Sequence, residues 1–386
     1  MTQSSDQQAL LKLKGTIRLL SDISQSILDS IANYEDHRSF DKFFQIFTDN
    51  NIVSNYEIYL AVLSILNRIA FLSASDLTIY EKIESILLRL KNDFQLTSVF
   101  HQRTLFDTFY SSAEIILFFY EQNIIDLLYI YQDNVFFKGL FFFPELYKNY
   151  HNYRKYINAN KLENQMKEFK SNIDDFEHIR RTGLSNVKLY RLIQEDKLNE
   201  FIDFVNLENI DLSAKVNFSI FDQHFIRNEE MTLIDYAMYF NSINIFKYLF
   251  IQKVSISEQS MEFALKGGNF EIIHIVEEEL HYEYSSSDLN YTIDKNISEY
   301  IVSMIPSDQE VYNEDLLKEC IDDNNFIQMN NIITNNEKVA DDFLLSIEKL
   351  TEKIKYLDVP YLYDFLFKLQ NFDPESIEFS SFFKFH

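Results

Sequence analysis

The fold of this chain is indicated most clearly by two stretches that can be laid on each other. They are Thr232-Leu-Ile-Asp-Tyr-Ala-Met-Tyr-Phe-Asn-Ser-Ile-Asn-Ile-Phe-Lys-Tyr-Leu249 and Gln259-Ser-Met-Glu-Phe-Ala-Leu-Lys-Gly-Gly-Asn-Phe-Glu-Ile-Ile-His-Ile-Val276. The alignment places Ala237 on Ala264, 27 residues later. Each stretch predicts a helix with a small inner residue, a turn containing Asn or Gly, and a second apolar helix. The pattern therefore indicates a repeated pair of short helices.

Further copies of this helix pair are predicted on both sides. A step of 56 residues, or two units of 28, matches Ala264 to Cys320 and Gly268-Asn269-Phe270 to Asn324-Asn325-Phe326. The unit between them is predicted to centre on Thr292. Weaker copies occupy the segments 192–198 and 356–362. Together these copies predict about six helix pairs.

A single pair of short helices is too thin to bury its own apolar faces. Stacked pairs share a continuous core, and a small residue on the inner face lets neighbouring helices approach. Ala237, Ala264 and Cys320 are predicted to fill this position. Cys320 is accordingly interpreted as a packing residue and not as a reactive thiol.

The composition favours helices throughout the 386 residues. The chain has 46% hydrophobic residues, which excludes a disordered protein, and only 5 Gly and 4 Pro, which disfavours a β-sandwich. Segments 10–34, 55–72, 77–91 and 104–120 place apolar residues at three- and four-residue spacings. We expect an all-α protein with a helical N-terminal domain at residues 1–183 and a solenoid of short helix pairs at residues 184–386.

The net charge of −25 lies almost entirely in the second half of the chain. Residues 1–183 carry 19 Lys+Arg against 23 Asp+Glu, or −4, and residues 184–386 carry 16 against 37, or −21. Such a surface repels phosphate backbones, so nucleic-acid binding is not expected. It attracts basic proteins, although a merely solvated acidic surface is the alternative.

The thiol content and the hydropathy pattern predict a soluble cytoplasmic protein. A single cysteine, Cys320, cannot form an internal disulfide or a Cys-ligated zinc site. The most apolar stretch, 115–143, is interrupted by Glu121, Asp126 and Asp133, and no run approaches the roughly 20 apolar residues of a membrane span. The N-terminus lacks the basic-then-apolar order of a signal peptide.

Thr232-Leu-Ile-Asp235 resembles the Thr-Pro-Leu-His start of an ankyrin repeat. It keeps the Thr, and Asp235 is still able to pair with Thr232 or with backbone N–H groups. Residues 181–335 are similar to a divergent group of protist ankyrin proteins in which an uncharacterised helical region precedes the repeats. The step of 27–28 residues is shorter than the ankyrin repeat of about 33. We therefore expect stunted loops in place of the projecting fingers of the family.

The ankyrin resemblance implies a concave face formed by the first helix of each pair. The residues just before and two after the small residue would line it, and aromatic anchors beside charges suit a protein-binding groove. The expected partner is a protein with a basic segment. The alternative is that the aromatic residues pack between repeats. The predicted contact residues are Tyr236, Tyr239, Phe263, Lys266, Tyr291, Asp294, Glu319 and Asp322.

Motifs for catalysis are not found, and neither an enzyme nor a cofactor is predicted. His274, Glu278 and His281 stand at i, i+4 and i+7, which would place three metal-capable groups on one face of a continuous helix. The favoured interpretation is a solvated helix end, so no metal is expected; a helical metal-binding protein or enzyme is the alternative. An α-solenoid unrelated to ankyrin also stays open, as does the oligomeric state.

Overall fold

A computed structural model describes the chain over residues 5–32, 37–73, 76–132, 140–159, 173–185, 187–217, 231–306, 310–346 and 361–362. Within these ranges the secondary structure is helical, with no β-strand. One isolated antiparallel bridge joins Lys215 and Thr232. The prediction of an all-α fold is confirmed. None of the helices in these ranges is both long and apolar enough to cross a membrane.

The helices follow one another in chain order. Those before residue 185 are α1 (Ser5–Ala32), α2 (His37–Asp49), α3 (Tyr56–Leu72), α4 (Leu77–Asp93), α5 (Leu96–Val99), α6 (Gln102–Thr108), α7 (Ala113–Glu121), α8 (Leu127–Gln132), α9 (Phe143–Asn149), α10 (His151–Ala159) and α11 (Ile173–Thr182). Those after it are α12 (Lys188–Gln194), α13 (Leu198–Glu208), α14 (Leu233–Tyr239), α15 (Ile243–Ile251), α16 (Glu258–Gly267), α17 (Phe270–Leu280), α18 (Lys295–Met304), α19 (Glu314–Asp322), α20 (Phe326–Asn335) and α21 (Glu337–Leu344).

The chain forms two compact units that differ from the predicted division at residue 183. One unit combines residues 1–69 with 283–386, and the other contains residues 70–282. Residue 183 therefore falls inside the second unit. The reason is that contacts distant in sequence, which periodicity does not reveal, join α1 to α20 within the first unit.

In the first unit, α1 packs along α20, and its buried face carries apolar residues from Leu10 to Ile31. The Lys14 ammonium is nearly buried and donates to Glu337 Oε1 at 2.8 Å. It also forms an ion pair with Asp341. Burial lowers the pKa of Lys14, but the hydrogen bonds and charges of both carboxylates outweigh it and raise this pKa. The contact ties the N-terminal helix to the last described helices of its unit.

The N-terminal helices of the second unit are held by a buried ion pair. Arg180 of α11 donates to both carboxylate oxygens of Glu145 in α9, at 2.9 and 2.7 Å. It also donates to the Phe141 carbonyl oxygen at 3.1 Å. The guanidinium lies 5.6 Å from the ring centroids of Phe141 and Phe176. This arrangement compensates the desolvation of a buried charge.

Three helix pairs follow in the second unit: α12 with α13, α14 with α15, and α16 with α17. The first helices contact each other in the order α12, α14, α16. Each turn between paired helices has a residue in the left-handed region, namely Asp196, Asn241 and Gly268, with φ of 48°, 55° and 74°. Asn and Gly tolerate this region best, so the turns follow from the sequence.

Hydrogen bonds between neighbouring helix pairs fix how the pairs stack. The Asp196 carboxylate accepts from the backbone N–H groups of Asn244 and Ile245, at 3.2 and 3.0 Å, and so caps the second helix of the next pair. The Asn269 amide donates to Asn241 Oδ1 at 2.5 Å. Each pair is therefore positioned by the turn of the pair before it.

The predicted unit centred on Thr292 has only one α-helix. Its first element is a 3₁₀ helix, Ser286–Asn290, and α18 follows. The N-cap residues of the first element in three successive repeats are 28 residues apart. They are Ser257, Ser285 and Asn313. The predicted copy at 356–362 lies outside the described residues except for 361–362, which are buried.

Candidate functional site

The structure corrects the predicted concave face at its three aromatic positions in the second unit. Tyr236, Tyr239 and Phe263 are only 0%, 3% and 1% exposed. Every residue of α14 is buried. These aromatic side chains therefore belong to the core, which is the packing role that the alternative interpretation gave them, and they do not form an open groove.

Tyr80 of α4 is also buried, and its hydroxyl donates to the Ala70 carbonyl oxygen at 3.1 Å. Burial, followed by the nearby Glu114 and Tyr239, raises the pKa of the Tyr80 phenol. The Tyr190 ring of α12 packs 5.5 Å from the Tyr236 ring. The three aromatic positions of the predicted groove are thus closed by packing within the chain.

The charged residues predicted for the same face have local roles. Lys266 is partly buried and pairs with Glu262 at 2.5 Å. Its ammonium stands 6.0 Å from the Phe263 ring centroid. In the first unit, the Asp294 carboxylate caps α18 by accepting from the N–H groups of Asn296 and Ile297. These contacts support individual helices.

The remaining three predicted residues lie in the first unit near the 3₁₀ helix. Tyr291 is the residue at its C-terminal end and is half-buried, and Asp322 is exposed at the end of α19. Glu319 accepts hydrogen bonds from Ser287 Oγ and Asn290 Nδ2, both at 2.9 Å. Glu319 thus fastens α19 to the 3₁₀ helix.

A buried polar network surrounds Cys320. Asn290 Oδ1 accepts from Asn325 Nδ2 at 2.9 Å and lies 3.8 Å from the Cys320 sulfur. The Arg68 guanidinium of α3 donates to the Asn290 carbonyl oxygen at 3.4 Å. Burial raises the pKa of the Cys320 thiol, which disfavours the nucleophilic thiolate. The geometry suits packing and not covalent chemistry.

The three small residues each lie on a helix that is followed by a turn and a second helix, and the Ala264 carbonyl oxygen accepts from Gly268 N at 3.1 Å. Ala237, Ala264 and Cys320 are all fully buried. The Ala237 and Cys320 carbonyl oxygens accept from the residue five positions later, Ser242 and Asn325, both at 2.8 Å. These bonds reverse the chain after the first helix.

A capping site that links two pairs was not foreseen as such from the sequence. The Asp235 carboxylate is buried and accepts from Thr232 N at 2.9 Å and from Thr232 Oγ1 at 2.6 Å. Its other oxygen accepts from Ser260 Oγ of the next pair at 2.6 Å. The hydrogen bond from turn to helix implied by the ankyrin resemblance is therefore present. The signal was a Ser or Thr followed three residues later by Asp or Ser.

The alternative metal residues are not brought together. The His274 side chain is half exposed, and its Nδ1 lies 3.5 Å from Glu277 Oε2. His281 is the C-cap residue of α17 and stands in the left-handed region, with φ of 49°, so the continuous helix that the i, i+4, i+7 pattern requires ends before it. The described part of the chain contains no group of three or more His, Cys, Asp or Glu side chains that could hold a metal ion.

Two exposed apolar residues were not predicted from the sequence. Leu207 at the end of α13 and Ile251 at the end of α15 are 80% and 73% exposed. The signal was an apolar residue at a position that the helical pattern reserves for polar ones.

Comparisons of the chain with models of protein families, with curated proteins and with solved structures find no match.

Proposed function

We propose that this chain is a non-enzymatic scaffold for protein–protein interactions and that its helix pairs are divergent ankyrin-like repeats. The observation that supports it best is the ordered stacking of α12 with α13, α14 with α15, and α16 with α17. Stacked repeats expose broad surfaces whose residues vary without loss of the shared core, which suits recognition of proteins.

The Thr232–Asp235 capping box and the buried Ala237 and Ala264 are features in favour of the ankyrin-like assignment. They hold the start of a first helix and allow close packing, as the corresponding residues do in the family that the sequence resembles. The net charge of −21 over residues 184–386 favours a partner with a basic segment. Because the aromatic positions of the predicted groove are buried, we propose binding at exposed surfaces of the repeats.

The proposal is tested by affinity capture on the full chain, followed by mass spectrometry. The matched control is an unrelated acidic protein of similar net charge, since charge alone retains basic proteins. We expect partners that the control does not retain and that are released when salt rises from about 50 to 500 mM, because salt screens exposed charges. A chain that retains nothing beyond the control would contradict the scaffold function.

A further inference from the structure

Leu207 and Ile251 occupy equivalent positions in two consecutive helix pairs. The chain reverses after α13 through a hydrogen bond from Ile210 N to Val205 O at 3.1 Å. It reverses after α15 through one from Val254 N to Leu249 O at 3.2 Å. Each exposed residue lies two positions after the residue that accepts this bond. The match is therefore structural and does not depend on sequence alignment.

The two residues lie at equivalent positions near the C-terminal ends of two helices that contact each other. Helices α13 and α15 pack together, with the Phe201 and Tyr248 rings 6.1 Å apart. A single exposed leucine is ordinary on a protein surface. Two exposed apolar side chains at equivalent positions of neighbouring helices are less ordinary. No other large apolar side chain in the described residues is as exposed as these two. We name Leu207 and Ile251 the outer patch.

The surroundings of the outer patch are predominantly acidic, with Lys253 as an exposed cation two residues after Ile251. Residues 198–211 contain four carboxylates and no Lys or Arg, and α17 contains four carboxylates. Lys247 of α15 pairs with Glu271 of α17 at 2.5 Å, so its charge is compensated. A surface of this sign repels a second copy of itself, an anionic membrane and nucleic acid. It attracts a basic protein segment.

We propose that the outer patch binds a basic amphipathic helix of another protein through two apolar anchors about seven residues apart. Neighbouring packed helices lie about 8–10 Å apart, which corresponds to about five to seven residues at a rise of about 1.5 Å per residue. Of these spacings, seven residues returns the second anchor to the same face of the bound helix. The acidic rim then pairs with Lys or Arg on the flanks of the bound helix. This inference rests on the proposed scaffold function and assigns it a surface and a partner chemistry.

The test uses two fluorescent peptides of identical composition, each a Lys/Ala helix of about 18 residues carrying two leucines. In one peptide the leucines are seven residues apart and share a face; in the other they are five apart and do not. Binding to the full chain is measured by anisotropy. The variants are L207S/I251S and the control Leu11→Ser, whose 54% exposed side chain lies on α1. Circular dichroism verifies that all variants fold.

We expect the seven-spaced peptide to bind the wild type and Leu11→Ser about tenfold more tightly than it binds L207S/I251S. The five-spaced peptide should bind all three equally and weakly. Equal affinity of both peptides for the wild type, or of the seven-spaced peptide for L207S/I251S, would overturn the proposal. Dimerisation that L207S/I251S abolishes would also overturn it, because a second copy would then be the occupant.

Failure of this inference can be separated from failure of the scaffold function. If captured partners bind L207S/I251S as well as wild type, the outer patch is not the binding surface, but the scaffold function stands. If the wild type captures nothing beyond the acidic control, the scaffold function itself fails.

Discussion

Gly267 shows how tightly neighbouring first helices approach. A Cβ atom placed on Gly267 would stand 2.0 Å from the carbonyl oxygen of Met238, an impossible contact with backbone. Since backbone cannot rotate away, Gly267→Ala should lower the free energy of unfolding by about 1–3 kcal/mol. Denaturant unfolding of the full chain, with and without the substitution, measures this change in the free energy of unfolding.

Gly15 supplies the matched control. It lies in α1, and no atom stands within 4 Å of the position that a Cβ atom would take there. Gly15→Ala should raise stability by about 0.5–1 kcal/mol, because alanine restricts the unfolded chain more than glycine does. Equal effects of the two substitutions would show that α16 and α14 do not approach as closely as described.

Single residues also show where prediction from sequence ends. The spacing of Ala237, Ala264 and Cys320 located positions that the structure buries, because a small residue in an apolar face has few other uses. The same logic placed Tyr236 and Phe263 at an open groove, whereas both are buried. Periodicity identifies a face of a helix, but it does not reveal which distant segment covers that face.

At the scale of the element, Asp carboxylates cap the N-termini of two helices, and one of these carboxylates is buried whereas the other is exposed. Asp235 accepts three hydrogen bonds in the core, whereas Asp294 caps α18 at the surface. Asp235→Ala should cost about 3 kcal/mol because buried donors lose their acceptor, and Asp294→Ala about 1 kcal/mol. Chemical denaturation compares them. A smaller loss for Asp235→Ala than for Asp294→Ala would contradict the link between α14 and α16.

Helix α4 makes stability depend on pH through Glu84. Burial, followed by repulsion from nearby carboxylates, raises the pKa of Glu84 from 4.5 to about 7. Between these values the folded state holds a proton that the unfolded state has lost, so Glu84 makes stability fall as pH rises from 4.5 through 7. The charges that act on it belong to Glu121, Glu81, Arg181 and Glu114.

Glu84→Gln should therefore raise the melting temperature at pH 8 more than at pH 5. The control is Glu81→Gln, which removes the same charge at an exposed position of the same helix. Thermal unfolding by circular dichroism at both pH values measures the difference. A gain from Glu84→Gln that is the same at pH 5 and pH 8 would show that this carboxyl group is not desolvated.

Elements were predicted best where local chemistry decides them. Asn241, Gly268 and Asn324 stand in the left-handed region at turns that the sequence marked with Asn and Gly. The unit around Thr292 was expected to have two helices, but Ser286–Asn290 forms a 3₁₀ helix. Its Ser, Asp and Asn side chains compete for backbone hydrogen bonds, which favours a short turn over an α-helix.

At the scale of the whole molecule, the two units predict how fragments behave. A fragment of residues 184–386 lacks α1, which packs on α20, and loses the Lys14 contacts with Glu337 and Asp341. We expect fragments 1–183 and 184–386 to unfold less cooperatively than the full chain in thermal denaturation. Separate sharp transitions that sum to that of the full chain would instead support a domain boundary at residue 183.

The central claim is that stacked helix pairs share one core, with α14 enclosed between α12 and α16. Hydrogen–deuterium exchange of the full chain, resolved by mass spectrometry, tests it most directly. Because all residues from Leu233 to Tyr239 are buried, the α14 amides should exchange among the slowest in residues 188–280, and more slowly than those of α13. Exchange of α14 as fast as that of α13 would contradict the claim.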